Sequence, residues 1–123
     1  WHIYRAVLEG IASNLKTYFS KYESRVQRLI LSGGGARSRV FREIIAAMLN
    51  TDVYYNFSGD GSVGIALLAA HVFDGTSLKE VSSMISGRAE IIEPDTVTAD
   101  MYKIHYKKYM KLRSEIEKLY NII

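Results

Sequence analysis

Residues 29–38 read Leu29-Ile30-Leu31-Ser32-Gly33-Gly34-Gly35-Ala36-Arg37-Ser38, and this stretch decides the fold. A short apolar run, which is typical of a buried strand, stops abruptly at three consecutive glycines. Ser38 has a side chain suited to cap a helix, and apolar residues then recur at intervals of three and four until Asn50. The stretch therefore predicts a strand, a glycine loop and a helix in direct succession.

Two further extended segments are expected. Residues 53–57 are rich in β-branched and aromatic side chains, and residues 89–93 lead into Pro94. Strand, helix and strand in this order favour a parallel pair joined by a crossover. The predicted fold class is α/β, helix-rich, with few and mostly parallel strands. Two or three strands are too few for a sheet that is covered on both faces. Further strands are therefore expected from an absent part of the protein or from another copy of the chain.

The remaining segments are predicted to be helical. The first carries an apolar stripe over about five turns, and Gly10 within it indicates a close approach by a neighbouring element. A helix opening at Gly61 or Ser62 is apolar almost all the way round, so we expect it to be buried on most sides. Residues 77–80 form a capping box for a short helix, and a long helix starts at about Thr98.

Length and composition narrow the class of protein. The 123 residues, with 48% hydrophobic and 24% charged side chains, suit one compact globular domain and exclude disorder. The longest apolar stretch, residues 63–73, is far shorter than the roughly 20 residues of a membrane span, so no membrane partner is expected. With no cysteines, disulfides and thiolate chemistry are excluded, which fits a reducing cytoplasm. Because the chain begins at Trp1 without a secretion signal, we expect a piece of a longer protein.

The basic C-terminal segment raises the question of nucleic acid. Its lysines alternate with Tyr102, Tyr106 and Tyr109, while the whole chain carries a net charge of +3. The tyrosine spacing, however, is typical of the buried face of an amphipathic helix, and stacking on bases requires free rings. No nucleic-acid partner is therefore expected. His2, His71 and His105 lie far apart and are not spaced as metal ligands.

The glycine triplet is the one concentrated signal for chemistry. Glycines let the backbone approach an anion closely, and the amides of a helix N-terminus favour negative charge, so phosphate is the natural ligand. A tight turn without any ligand explains the triplet equally well. No Gly-Lys-Ser/Thr follows, and the third glycine of the dinucleotide fingerprint is missing, so neither nucleotide motif is complete.

Several motifs together resemble the C-terminal domain of the FGGY carbohydrate kinases, over nearly the whole chain. They are Tyr4-Arg5-Ala6-Val7-Leu8-Glu9-Gly10-Ile11-Ala12, Leu31-Ser32-Gly33-Gly34-Gly35-Ala36-Arg37-Ser38 with Phe41 in the usual place of a tryptophan, Gly64-Ile65-Ala66-Leu67-Leu68-Ala69-Ala70, and Tyr102-x-x-x-Tyr106-x-x-Tyr109-x-x-Leu112. The Gly-Gly-Gly-Ala-Arg-Ser form looks closer to xylulokinase-like and gluconokinase-like members than to glycerol kinases.

The resemblance implies half of an actin-like ATPase (ribonuclease H-like) fold, with residues 1–123 as the single C-terminal, nucleotide-side domain of a two-domain sugar kinase. The nucleotide would contact Gly33, Gly34, Gly35 and Ala36, and Arg39 would stand near the adenine. ATP with Mg²⁺ would lie between the domains, and its γ-phosphoryl group would pass to a hydroxyl of xylulose or a related sugar. The catalytic base belongs to the absent N-terminal domain, so no catalytic or metal-binding residue is expected here and the fragment alone should be inactive.

Two other interpretations stay open. A patatin-like lipase would use Gly33–Gly35 as its oxyanion loop and Ser62 as its nucleophile, although Asp60 stands where the first glycine of the nucleophile elbow should be. A non-catalytic nucleotide-binding or oligomerisation module could be built on the same half-fold, because unpaired strand edges favour a homo-oligomer.

Overall fold

A computed structural model describes residues 1–56, 61–86 and 89–120 of the chain. Three strands and five helices succeed one another in these residues. They are α1 (His2–Phe19), β1 (Leu29–Leu31), α2 (Arg39–Leu49), β2 (Val53–Asn56), α3 (Gly61–Asp74), α4 (Leu78–Ser86), β3 (Ala89–Ile92) and α5 (Thr96–Tyr120). The α/β class and the helix-rich composition predicted from the sequence are both confirmed.

The three strands form one small mixed sheet in the order β1-β2-β3. β1 and β2 are parallel, with Leu29 opposite Val53, as the strand-helix-strand order predicts. β3 runs antiparallel to β2, with Val53 opposite Ile92. In the described residues β2 is therefore the central strand, and β1 lies at one edge of the sheet.

The centre of the core is α2. Its residues 44–49 are all buried, because α2 packs between α1 and α5 and also contacts the sheet. Ser38 caps this helix by accepting a hydrogen bond from the amide of Phe41, and Asn50 ends it in the left-handed conformation at φ 53°. Both termini predicted from the sequence are thus confirmed.

The expectation that α3 is buried is wrong for this chain. None of its residues is buried, and Ile65 and Phe73 are 71% and 85% exposed. The apolar pattern was interpreted through the usual rule that an apolar helix lies in a core, but the described residues do not supply the surfaces that would cover it. The helix ends at Asp74, and Gly75 follows it with φ 71°.

Two further expectations about helix packing need correction. A Cβ placed on Gly10 would meet no atom of the described residues within 4 Å, so none of the described elements approaches this glycine closely. The apolar stripe of α5 is buried at Tyr102 and half-buried at Tyr106, but Leu112 and Leu119 are exposed because this end of α5 extends beyond the core.

The smaller features follow the sequence. Ser77 and Glu80 form the predicted capping box at the start of α4, with hydrogen bonds of 2.7 to 3.2 Å. His71 is half-buried, with Nδ1 lying 2.7 Å from the carbonyl oxygen of Thr76, and His105 is exposed. Within the described ranges, no helix is both long and apolar enough to cross a membrane.

Candidate functional site

The glycine loop connects β1 to α2 through a 3₁₀ turn at Gly35–Arg37. Gly33 has φ 86°, which side chains rarely permit, so glycine is required there by the backbone itself. The loop is held by three hydrogen bonds of 3.2 Å, in which the amides of residues 36, 37 and 38 donate to the carbonyls of residues 33, 34 and 35 respectively. The turn is therefore well defined without any ligand.

The glycine amides are available to an external acceptor. The N–H groups of Gly33, Gly34 and Gly35 donate no hydrogen bond to any residue that the structure describes. A Cβ on Gly33 or Gly34 would meet nothing within 4 Å, whereas one on Gly35 would lie 3.5 Å from the ring of Phe41. Gly34 has an ordinary helical conformation, so neither strain nor crowding by the described residues explains why it is glycine. Among the described residues, the space beside Gly33 and Gly34 is therefore open.

The other two predicted contact residues differ in their surroundings. Ala36 is buried and belongs to the hydrophobic core, so its side chain faces inward. Arg39, the first residue of α2, is 78% exposed and pairs with Glu43 one turn later at 2.9 Å. The three glycines lie in the loop before α2, whereas the Arg39 side chain pairs along α2 with Glu43. Their contact with a nucleotide stays a prediction.

Arg42 is a residue of this region that the sequence reasoning missed. Its guanidinium is buried, and Nη1 donates to the carbonyls of Ala36 at 2.6 Å and Arg37 at 3.1 Å. Nη2 pairs with the carboxylate of Glu90 at 3.0 Å, and the group lies 4.1 Å from the ring centroid of Tyr55. The signal was present, because position 42 is in helical register with the buried positions 45, 46 and 49.

A polar cavity of about 450 Å³ is lined by Arg39 and Glu90 but by none of the loop glycines. It lies between α2, β3 and the start of α5, and charges of both signs line it, including those of Arg39, Glu43 and Glu93. No group of three or more His, Asp or Glu side chains that could hold a metal ion is found in the described parts of the chain.

Ser62, the nucleophile of the lipase interpretation, lies in the first turn of α3. Asp60, which precedes it in the elbow pattern, falls outside the described residues. The open glycine loop suits an anionic intermediate as well as a phosphate, so its geometry does not separate the two interpretations.

Comparison with known proteins separates them. The family model of the FGGY carbohydrate kinases, C-terminal domain, matches residues 1–73, more than half of the chain. The chain therefore belongs to the FGGY family of carbohydrate kinases, through its C-terminal domain, and shares the actin-like ATPase fold of its structural neighbours. This membership favours the kinase interpretation of the glycine loop over the lipase one.

Two solved structures are similar over almost the whole chain. One is a xylulose kinase from Rhodospirillum rubrum, with 26% identity and a TM-score of 0.77 over 98% of this chain. The other is a xylulose kinase from Brucella ovis, with 26% identity and a TM-score of 0.76 over 93% of this chain. The match spans only about a quarter of either protein, 25% and 24% respectively. A sequence search of curated proteins gives no match.

Proposed function

We propose that the chain is the nucleotide-side, C-terminal domain of an ATP-dependent sugar kinase, with residues 1–123 forming one domain. Joined to a sugar-binding N-terminal domain, it would transfer the γ-phosphoryl group of ATP to a hydroxyl of xylulose or a related sugar. Family membership and the likeness to two xylulose kinases support this substrate class. The observation that carries the proposal is the open glycine loop, whose three unpaired amides precede the N-terminus of α2.

The loop fits a nucleotide on physical grounds. Unpaired backbone amides at a helix N-terminus favour a negatively charged or acceptor-rich ligand, and the absence of side chains at Gly33 and Gly34 allows it to approach the backbone directly. The conformation of Gly34 would accept alanine, so a ligand that occupies the space of a Cβ would explain the choice of glycine there. Ala36 would contribute through its backbone, since its side chain lies in the core.

Arg39 would contact the base. A guanidinium stacks readily on flat aromatic groups, and this one is exposed at the first residue of α2. Its ion pair with Glu43 is exposed on both sides, and such pairs contribute only about 0.2 to 1 kcal/mol. Release of Arg39 from Glu43 toward an adenine would therefore cost little.

Phosphoryl transfer itself would need groups from outside this chain. The reaction requires Mg²⁺, a base for the accepting hydroxyl and contacts to the terminal phosphates, all converging on one point. We assign no catalytic residue and no magnesium ligand to this domain, and we expect it to be inactive alone. Because the reaction uses MgATP and the chain has no cysteine, we place the enzyme in the cytoplasm.

A second candidate function is a stand-alone oligomerisation module. Two features favour this module: the exposed apolar residues of α3 and the position of β1 at an edge of the described sheet. Exposed apolar surfaces and unpaired strand edges both tend to associate with another chain. In the kinase these surfaces would be covered by the rest of the enzyme. The two functions therefore differ in whether the 123-residue chain performs its function without a further domain.

The kinase proposal is tested by kinetics in a longer protein that contains this domain. Gly34→Val should raise the KM for ATP at least tenfold, because a side chain would enter the nucleotide's space, while the KM for the sugar stays nearly unchanged. Gly10→Ala is the matched control, since a Cβ there meets nothing and the position lies in α1. Equal effects on both substrates would contradict the nucleotide assignment. Hydrolysis of a p-nitrophenyl ester that Ser62→Ala abolishes would favour the lipase instead.

A further inference from the structure

We propose that Arg42 and Glu90 are positioning residues for the glycine loop. The Glu90 carboxylate on β3 holds the Arg42 guanidinium, and Arg42 holds the peptides that follow the glycines. The part of the chain beyond residue 73 thereby fixes the geometry of a loop that the family model assigns to residues 1–73. The effect on nucleotide binding rests on the proposed function, whereas the effect on the loop does not.

The link from Arg42 to the glycines passes through two rigid peptide units. Arg42 Nη1 donates to the carbonyl of Ala36, and the N–H of that same peptide, on Arg37, donates to the carbonyl of Gly34. Nη1 also donates to the carbonyl of Arg37, and the N–H of that peptide, on Ser38, donates to Gly35. Because a peptide unit is planar, fixing its carbonyl also fixes its N–H. Arg42 thus orients the two peptides whose N–H groups donate to the carbonyls of Gly34 and Gly35.

Glu90 is held in place by the sheet. It lies directly opposite Tyr55 in the antiparallel pair of β2 and β3, and residues so opposed share one face of a sheet. The Arg42 guanidinium lies against the ring of Tyr55 at 4.1 Å and pairs with the neighbouring Glu90 at 3.0 Å. The strand pair therefore presents a ring and a carboxylate together to a side chain of α2.

The charge of Glu90 matters because Arg42 has few other partners. Among the described residues, Glu90 is the only carboxylate within 4.0 Å of the Arg42 guanidinium. Arg42 Nε is buried and has no hydrogen-bond partner in the described parts of the chain, so the group is already incompletely satisfied. Removal of the Glu90 charge would leave a buried cation with carbonyl acceptors and one aromatic face, an arrangement that favours displacement of the side chain toward water.

The first test measures the stability of the loop hydrogen bonds in the absence of any ligand. Amide hydrogen exchange is measured in the 123-residue chain for Ala36, Arg37 and Ser38, comparing the wild type with Glu90→Gln. We expect about tenfold faster exchange at these three amides, with buried α2 amides such as that of Ile45 unchanged. The matched control is Glu117→Gln, which removes an exposed ion pair with Arg113 on α5 and should leave all of them unchanged. Wild-type exchange in Glu90→Gln, or an equal increase at every amide, would overturn the proposal.

The second test measures the affinity of the same chain for ATP. Glu90→Gln should weaken ATP binding about tenfold, and Glu90→Asp, which keeps the charge, should recover part of the loss. If Glu90→Gln speeds hydrogen exchange at the loop amides but the wild-type chain does not bind ATP, the proposed function is wrong and the positioning of the loop is still supported. If the wild type and Glu90→Gln bind ATP equally, the role in nucleotide binding is wrong. Should Glu90→Gln fail to fold, Arg42→Lys provides the same comparison, since it keeps a charge but loses the second donor.

Discussion

The hydroxyl of Tyr102 donates a hydrogen bond of 2.8 Å to Oε1 of Glu9, joining α5 to α1 across 93 positions of the chain. The same hydroxyl accepts from Nη2 of Arg5 at 2.9 Å, and Arg5 Nε also pairs with Glu9. Tyr102 is only 2% exposed. The long C-terminal helix is therefore fixed to the first helix by a polar contact in addition to the apolar core.

Tyr102→Phe should lower the free energy of unfolding by about 1 to 2 kcal/mol, because a hydrogen bond to a charged acceptor is lost and Arg5 loses an acceptor. Urea unfolding measures the change. Tyr120→Phe is the control, since Tyr120 is exposed near the end of α5. The assignment of Tyr102 as a structural link would be wrong if the two variants lost equal stability.

The same residue predicts a dependence on alkaline pH. Burial, followed by the hydrogen bond to Glu9, raises the pKa of Tyr102 above its ordinary value of about 10. In the unfolded chain the phenol ionises at about pH 10, whereas the folded chain resists ionisation, so the contribution to stability is full below this pH and lost as pH rises through the folded pKa. The stability difference between the wild type and Tyr102→Phe should therefore shrink above about pH 10. A difference that grows with pH would contradict this sign.

The two loop glycines should respond differently to alanine. Gly33→Ala forces a side chain into the left-handed region at φ 86° and should cost about 1 to 2 kcal/mol of stability. Gly34→Ala should be neutral or slightly stabilising, because its conformation is helical and the space is open. Thermal unfolding of both variants without ligand tests the pair. Equal destabilisation would mean that the loop geometry is wrong.

Acid should loosen the N-terminus of α4. Hydrogen bonds from the Ser77 side chain and backbone hold the pKa of Glu80 below its ordinary value of 4.5. The capping box is therefore fully formed above this value and is lost as pH falls through the lowered pKa. Amide chemical shifts of residues 77–80 should move toward unstructured values in this acidic range. In Ser77→Ala the shifts should already be displaced at neutral pH, and an identical acid response in that variant would refute the cap.

The exposed apolar residues of α3 predict that the 123-residue chain self-associates. Ile65 and Phe73 present large apolar side chains to water, and such surface is stabilised by contact with a second copy. Sedimentation velocity should show a concentration-dependent increase in mass, and Ile65→Asp should reduce it. The matched control is Lys79→Asp, which changes charge on an exposed polar position of α4. A wild-type chain that stays monomeric at high concentration would contradict the prediction.

Local features of this fold were predictable because their causes are local. The strand, glycine loop and helix around Gly33 follow from residues within ten positions of one another, and Ser38, Asn50 and Glu80 act at the ends that they define. The parallel pairing of β1 and β2 follows from their separation by one helix. The direction of β3 was not encoded in any such pattern.

Features that depend on distant partners were not predictable in the same way. The apolar character of α3 does not specify which surface covers it. A glycine at position 10 likewise does not specify how close the neighbouring elements lie. The helical register of Arg42 indicates that the residue is buried, but it does not indicate that its partner is Glu90, 48 positions later. The open side of the glycine loop likewise became visible only when its amides and the space around Gly34 were located.

The central claim, that the glycine loop binds a nucleotide, is tested most directly by titrating ATP and ADP into the ¹⁵N-labelled chain and following its amide resonances. The account predicts saturable shifts concentrated at Gly33 to Arg39 that are lost in Gly34→Val but kept in Gly10→Ala. No response of these amides at millimolar ATP, or the same response in Gly34→Val, would contradict it.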